Sequence, residues 1–282
     1  MKYSESDKIQ PDGLAENQDF GVLYVVDDNP GYEKMLEVSM QSIDDFHPDW
    51  PRKVIRIPLP KASFSERLRR SGAFWTWRQR YNRLGQDKRF YKAKAASVIN
   101  SPFRTTLFLD VDTVIRKPLD VMREKALHCD ALFTGLPWKK YPGIAADLPR
   151  EIPYVMSGVF FYNRRYADLC RPYFDRFADR LHERVNGMTI GDQFVFSLVC
   201  TMESHRLNIQ FEPNLQMDVV NARQHFETDH LPMKGKCIDL SWAALDPFFV
   251  FHYNEYKPQY LDQIKQCWGY PKDMRAGKAL KK

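Results

Sequence analysis

The chain has 282 residues, of which 44% are hydrophobic and 28% charged, a composition typical of folded globular proteins rather than disordered or fibrous ones. No apolar run approaches the roughly 18–20 residues of a transmembrane helix, and the polar N-terminus lacks the apolar segment of a signal peptide, so we expect a cytoplasmic protein, with peripheral membrane contact as an alternative. A net charge of +6 suits anionic small molecules or lipid surfaces and does not by itself argue for nucleic acid.

The first predicted unit is strand, helix, strand. GVLYVVD (21–27) is a β-branched run of the length of a buried parallel strand, and it stops at the turn signal DDNPG. Apolar residues from Leu36 to Ile43 then recur at helical spacing, and KVIRIPL (53–59) reads as a second strand. Such a βαβ unit implies a parallel sheet with a right-handed crossover.

A basic segment from Arg67 to Lys94 follows, in which aromatic residues alternate with cations. Three interpretations stay open: an amphipathic helix with its aromatics in the core, a surface for a membrane or an acceptor, and, with less support, single-stranded nucleic acid. The aromatic residues are Phe74, Trp75, Trp77 and Tyr81.

The rest of the chain alternates between strand and helix patterns. One predicted helix, RPYFDRFADRLHERV (171–185), places Phe174, Phe177, Leu181 and Val185 on one face. We expect a single α/β domain over 19–270 with a mixed, mostly parallel sheet flanked by helices, a flexible lead-in over 1–18 and a basic tail over 271–282. The other predicted elements are helices at 91–100 and 191–202 and strands at 106–112, 131–135, 158–163, 209–212 and 249–252.

Two aspartates close the hydrophobic strand TLFLDVD (106–112). In an extended backbone, residues i and i+2 point to the same side, so Asp110 and Asp112 should converge. Two converging carboxylates repel each other unless a divalent cation lies between them, and oxygen ligands suit Mg²⁺ or Mn²⁺. The alternative is a turn cap beside a solvated carboxylate.

One enzyme class with this pattern is the haloacid-dehalogenase-type phosphatases, in which Asp110 would be the nucleophile. That fold normally begins with the D-x-D strand, whereas here a βαβ unit precedes it. It also needs a distal acidic pair, and Phe196 and Ser197 stand where the second acid after Gly191-Asp192 would be.

The wider match is to the metal-dependent GT-A glycosyltransferases, particularly the glycogenin-like and bacterial galactosyltransferase group. The chain resembles this group in five segments that occur in the family's order over roughly residues 20 to 260. The segments are GVLYVVDDNPGY, KAKAASVINSPFRTTLFLDVDTVIRKPLD, MSGVFFYN, GDQ and FHYNEYKP.

The resemblance implies an α/β GT-A fold and transfer of a sugar from a nucleoside diphosphate sugar, a UDP-sugar in the first instance, to an acceptor hydroxyl, with retention. It assigns the metal, Mn²⁺ or else Mg²⁺, to Asp110, Asp112 and His252. The imidazole favours Mn²⁺ over Ca²⁺. The acceptor is a glycan, a protein or a lipid, and its recognition is expected in the segment 67–83 and in the irregular region 214–246.

Further site roles also come from the resemblance. Lys257 would contact the departing diphosphate, but it follows His252 by five residues where the family has six, so either the loop is shorter or the role is lost. Asp192 and Gln193 would lie at the reacting face, although Asp192 could instead cap its helix. The remaining residues expected to contact the nucleotide sugar are Val26, Asp27, Asp28, Lys94, Asp110, Val111, Ser157 and Gly158.

A third hypothesis is a GT-A-shaped binding protein without catalysis. Three converging metal ligands argue against it, because a scaffold without activity does not require them.

Overall fold

A six-stranded sheet lies at the centre of the computed structural model, which describes residues 18–27, 30–58, 88–186, 188–218 and 249–252. Its strand order is β2-β1-β3-β6-β5-β9, and β6 runs against the other five. The helices are α1 (Pro30–Asp44), α2 (Lys88–Ile99), α3 (Asp120–Leu127), α4 (Arg164–Phe177) and α5 (Asp192–Met202), and a 3-10 turn covers Ala178–Arg180. The strands are β1 (Gln18–Asp27), β2 (Arg52–Ile57), β3 (Phe103–Leu109), β4 (Thr113–Ile115), β5 (Ala131–Pro142), β6 (Glu151–Asn163), β7 (Arg184–Val185), β8 (Met188–Thr189), β9 (Ile209–Phe211), β10 (Gln216–Asp218) and β11 (Val250–His252).

The sheet separates two hydrophobic cores. Alternate residues of a strand face opposite sides, so Val22 and Tyr24 of β1 pack with α1, while Leu23 and Val25 pack under α2, α4 and α5. All four are at most 2% exposed. This burial on both faces explains why β1 reads as a continuous apolar run, and the predicted mixed α/β fold is confirmed.

A small second sheet stands beside the carboxyl end of β3. Its order is β10-β11-β4, with β10 parallel and β4 antiparallel to β11. His252 is thereby paired with Thr113, one residue after the second aspartate of the D-x-D pair. Two segments that are remote in sequence thus meet at the end of the central sheet.

One predicted helix is wrong at both ends. The prediction covered 171–185, but α4 spans Arg164–Phe177 and contains Pro172 in its interior. The helix starts at Asn163, whose side chain accepts a hydrogen bond from the Tyr166 amide as an N-cap. Beyond Phe177 the chain makes the 3-10 turn, so Leu181 is buried from a turn, and Val185 belongs to β7.

Among the described helices, none is long and apolar enough to cross a membrane.

Candidate metal centre

Asp110 and Asp112 lie in a turn, not in a strand. β3 ends at Leu109 and β4 starts at Thr113, so the expectation that an extended backbone aligns the two carboxylates is wrong. Hydrogen bonds hold this turn instead: the Asp110 amide donates to the Gly158 carbonyl at 2.7 Å, and the Thr113 hydroxyl donates to the Asp110 carbonyl at 2.6 Å. The carboxylates still converge, because the turn replaces the strand as the element that orients them.

Two serines of helix α1 form hydrogen bonds beside the same turn. The Ser39 hydroxyl lies 3.1 Å from the hydroxyls of both Tyr24 and Thr113, and the Ile115 amide donates to Ser42 at 2.9 Å. Ser39 and Ser42 are fully buried. Buried hydroxyls with satisfied partners fix a local geometry, so this network sets the backbone that carries both aspartates.

The side chains of Asp110, Asp112 and His252 form a cluster whose ligand atoms lie within 4.8 Å of one another. His252 Nε2 is 3.1 Å from Asp112 Oδ1 and 3.9 Å from Asp110 Oδ2. The carboxylates of Asp110 and Asp112 keep 21% and 20% of their side-chain surface exposed, so a ligand can reach them. Two carboxylate oxygens and one imidazole nitrogen form a donor set that suits Mn²⁺ and related transition metals.

A buried lysine joins this cluster to helix α5. Lys94 Nζ lies 2.6 Å from Asp110 Oδ1 and 3.2 Å from Asp192 Oδ2, and the Lys94 side chain is only 9% exposed. Asp192 does not cap α5, since the N-cap is Gly191 and no side-chain cap bond forms. The alternative interpretation of Asp192 as a helix cap is therefore wrong, and Lys94 is a buried residue of the site rather than a solvated helix lysine.

The electrostatics of the two aspartates differ. Burial raises the pKa of Asp110 to about 6, against the opposing effect of Lys94 and with the charge of Asp112 adding to it. Burial also acts to raise the pKa of Asp112, but the adjacent His252 outweighs it and lowers that pKa below its ordinary value. Burial opposes the charge on Lys94, yet the carboxylates of Asp110 and Asp192 raise its pKa. Asp110 and Asp112 thus repel each other, and a cation between them would remove that repulsion.

His252 sits in a pocket formed by Gly158 and Gln216. Gln216 Nε2 is 2.8 Å from His252 Nδ1, and both side chains are buried. A Cβ at position 158 would lie 2.6 Å from His252 Cε1, so only glycine leaves room for the ring. The close approach that we expected Gly158 to allow for a sugar is, in the structure, an approach of the histidine.

The other residues predicted to contact the substrates differ in burial and in the part of the site where they lie. The side chains of Val26 and Val111 pack in the core on the α1 side, so any contact with a nucleotide would come from their main chain. Asp27 and Ser157 are buried at the same end of the sheet. Gln193 donates its amide hydrogen to the Val155 carbonyl, which leaves its carbonyl oxygen for other partners.

Two predicted residues, Asp28 and Lys257, lie outside the described residues, as do the segment 67–83 and most of the region 214–246. Sequence reasoning missed Gln216 and Ser39. Gln216 lies in a short stretch without periodicity, and its role depends on the parallel pairing of β10 with β11. Ser39 reads as an ordinary polar residue of an amphipathic helix, although its burial beside Leu36 and Ile43 could have been noticed.

The phosphatase alternative finds no support in this geometry. Phe196 and Ser197, which occupy the positions of the required second acid, are fully buried inside α5. Asp110, the would-be nucleophile, is paired with the ammonium of Lys94.

Solved structures that match this chain are sugar-transferring enzymes. The bifunctional glycosyltransferase WbbM matches at 15% identity and a TM-score of 0.50, over 91% of this chain and 50% of WbbM. The galactosyltransferase LgtC, in complex with donor and acceptor sugar analogues, matches at 12% identity and a TM-score of 0.48, over 91% of this chain and 99% of LgtC. The glycosyltransferase GlyE of Streptococcus pneumoniae TIGR4 matches at 13% identity and a TM-score of 0.47, over 89% of this chain and 60% of GlyE. No protein-family model and no curated protein matches the sequence. At 15% identity, the match to WbbM shows a shared α/β fold.

Proposed function

We propose that this protein is a metal-dependent glycosyltransferase that moves a sugar from a nucleoside diphosphate sugar, a UDP-sugar, to an acceptor hydroxyl. The observation that carries the proposal is the convergence of Asp110, Asp112 and His252 on one point at the carboxyl end of the sheet. In open α/β sheets, ligands bind at this edge. The likeness in fold to sugar-transferring enzymes supports the same reaction class.

In this proposal Asp110, Asp112 and His252 hold Mn²⁺ or Mg²⁺. When bound, the ion supplies Lewis acidity toward the departing diphosphate. Val26, Asp27, Asp28 and Val111 contact the nucleoside from the ends of β1 and β3, and Lys257 contacts the diphosphate.

Lys94 orients the carboxylates of Asp110 and Asp192. Its ammonium contacts both Asp110 and Asp192, so it fixes their directions and offsets their charge in a largely buried part of the site. A role in binding the diphosphate would add to this one.

Asp192 and Gln193 face the transferred sugar. Asp192 is held by Lys94, and the free carbonyl oxygen of Gln193 is the acceptor for a sugar or acceptor hydroxyl. The bond from the anomeric carbon to the diphosphate oxygen breaks with its electron pair on UDP. A bond from the anomeric carbon to the acceptor oxygen forms on the same face as the leaving group, and the proton of the acceptor hydroxyl passes to the departing diphosphate oxygen.

The test is incubation of the purified chain with a panel of sugar nucleotides and MnCl₂. We expect slow release of UDP from one donor, abolished by EDTA and by Asp112→Ala. An exposed change such as Gln41→Ala is the control and should leave the rate unchanged. Hydrolysis of a generic phosphomonoester without use of any sugar nucleotide would identify a phosphatase, and nucleotide binding without turnover would identify an inactive binding protein.

A further inference from the structure

The buried amide of Gln216 has one satisfied atom and one that is not. Its Nε2 lies 2.8 Å from His252 Nδ1, whereas its Oε1 makes no hydrogen bond within the part of the chain that the structure describes. Gln216 is 2% exposed. A buried polar atom without a partner costs about 1–3 kcal/mol, so its presence beside a candidate metal ligand requires an explanation.

This arrangement corresponds to one tautomer of the neutral His252 ring. If Gln216 Nε2 donates to Nδ1, then Nδ1 is the acceptor and the ring proton is on Nε2. In this tautomer Nε2 donates a hydrogen bond to Asp112 Oδ1, and the two heavy atoms are 3.1 Å apart. A ring in this tautomer cannot coordinate a metal through Nε2, because the lone pair there is occupied by the proton.

A half-turn of the Gln216 amide reverses these roles. It exchanges Oε1 and Nε2 at nearly unchanged positions, so Oε1 then accepts a hydrogen bond from Nδ1–H. The Nε2 lone pair of His252 is left facing the Asp112 carboxylate, an arrangement that is repulsive alone and favourable around a cation. Metal-bound histidines commonly donate their second N–H to an oxygen acceptor in this way.

We propose that Gln216 is a positioning residue whose amide selects which ring nitrogen of His252 carries the proton, and that it turns its carbonyl oxygen to Nδ1 when a divalent cation binds. The inference rests on the metal site of the proposed function. Gly158 is part of the device, because a Cβ there would lie 3.3 Å from Gln216 Nε2 as well as against the ring.

The chain offers three matched variants for titration with Mn²⁺. Gln216→Leu keeps the approximate size of the side chain but removes the acceptor, and we expect a 10–100-fold loss of affinity. Gln216→Glu restores an acceptor oxygen and should bind at least as tightly as the wild type. Thr134→Val removes the hydroxyl that accepts the Gln216 backbone amide at 3.2 Å, so it loosens strand β10 without touching the ring, and its affinity should stay within threefold of the wild type.

A spectroscopic measurement separates this role from simple packing. In protein labelled with ¹⁵N-histidine, long-range ¹⁵N–¹H correlation reports the tautomer of His252, with Zn²⁺ as a diamagnetic probe. We expect the proton on Nε2 without metal and on Nδ1 with Zn²⁺. In Gln216→Leu the metal-free ring should lose its single tautomer.

The possible results separate the two proposals. If the wild type binds Mn²⁺ but Gln216→Leu binds equally well, or if Gln216→Glu or Thr134→Val is as weak as Gln216→Leu, the role of Gln216 is wrong and the metal site stands. A proton that stays on Nε2 in the Zn²⁺-loaded protein also overturns the inference. If the wild type binds no Mn²⁺, the metal site fails first and the inference with it.

Discussion

Two buried histidines occupy opposite kinds of environment in this fold. His47, in the turn after α1, is 5% exposed, and its ring stacks on Trp50 with centroids 3.7 Å apart. Its Nε2 accepts a hydrogen bond from the Leu119 backbone amide at 2.8 Å. A backbone amide can only donate, so the proton of His47 must lie on Nδ1 whenever the ring is neutral.

His252 is equally buried, at 6%, but its nitrogens face side chains that can change. One faces a carboxylate and the other an amide with both a donor and an acceptor end. Burial alone therefore does not distinguish a structural histidine from a candidate metal ligand. The difference lies in whether the partners permit a free lone pair in the cluster.

Replacing each ring in turn should give the largest contrast. His252→Ala is expected to lower Mn²⁺ affinity by more than about 100-fold, because it removes a ligand, and to cost some unfolding free energy as well, because the ring is buried. His47→Ala should leave Mn²⁺ affinity unchanged and cost about 2–4 kcal/mol of unfolding free energy, through a cavity beside Trp50 and an unsatisfied Leu119 amide. Calorimetric titration and denaturant unfolding of both variants check this, and matching profiles would contradict it.

Asp112→Asn sharpens the comparison on the His252 side. It removes a charge that repels Asp110 but also the charge that favours the contact with His252, so the two effects oppose each other and we expect the unfolding free energy in metal-free buffer to change by less than about 1 kcal/mol. The increase in melting temperature that Mn²⁺ gives the wild type should disappear. A loss of stability of several kcal/mol without metal would show that Asp112 is structural.

Gly158→Ala tests the space around His252. A Cβ at 2.6 Å from the ring must displace it, and overpacking of this kind costs about 1–3 kcal/mol. We expect weaker Mn²⁺ binding as well. Gly191→Ala is the control, since its Cβ would meet Tyr91 at 3.5 Å, an ordinary contact, and it should leave Mn²⁺ affinity near that of the wild type. Equal losses of affinity in both would refute the argument from space.

The smallest expected effect concerns pH and His47. Burial lowers the pKa of His47, with Arg123 adding to this and Asp120 opposing it. The unfolded chain therefore binds a proton near the ordinary value of about 6.5 that the folded ring refuses, so stability is complete above that pH and falls as the pH drops below it. The difference between the unfolding free energies of the wild type and His47→Asn, measured between pH 8 and pH 5, should show this slope, because Asp110, whose pKa burial raises to about 6, contributes a slope of opposite sign that both proteins share. An unchanged slope in the variant would assign it to other groups.

Sequence patterns predicted the elements whose burial is periodic. β1, α1 and α5 lie where apolar spacing placed them, because each buries a regular face against the sheet. The end of α4 was predicted wrongly because Phe174, Phe177 and Leu181 are all buried and recur at helical spacing. Leu181, however, belongs to the turn that follows the helix.

The sequence predicted which residues form the candidate site better than it predicted how they are arranged. The D-x-D pair and His252 do converge, but through a turn and a second sheet that no local pattern encodes. The contacts from Lys94 to both Asp110 and Asp192 join three separate elements, and such pairings depend on tertiary packing. Gln216 was not predictable, since a single glutamine in an irregular stretch carries no signal.

The contact from Asp112 to His252 spans 140 residues of sequence. During synthesis at about 5–20 residues per second, the D-x-D turn therefore leaves the ribosome roughly 7–28 s before its histidine. Throughout that interval the nascent chain carries two neighbouring carboxylates without the imidazole. The cluster of Asp110, Asp112 and His252 therefore assembles only after the distant strand β11 has docked.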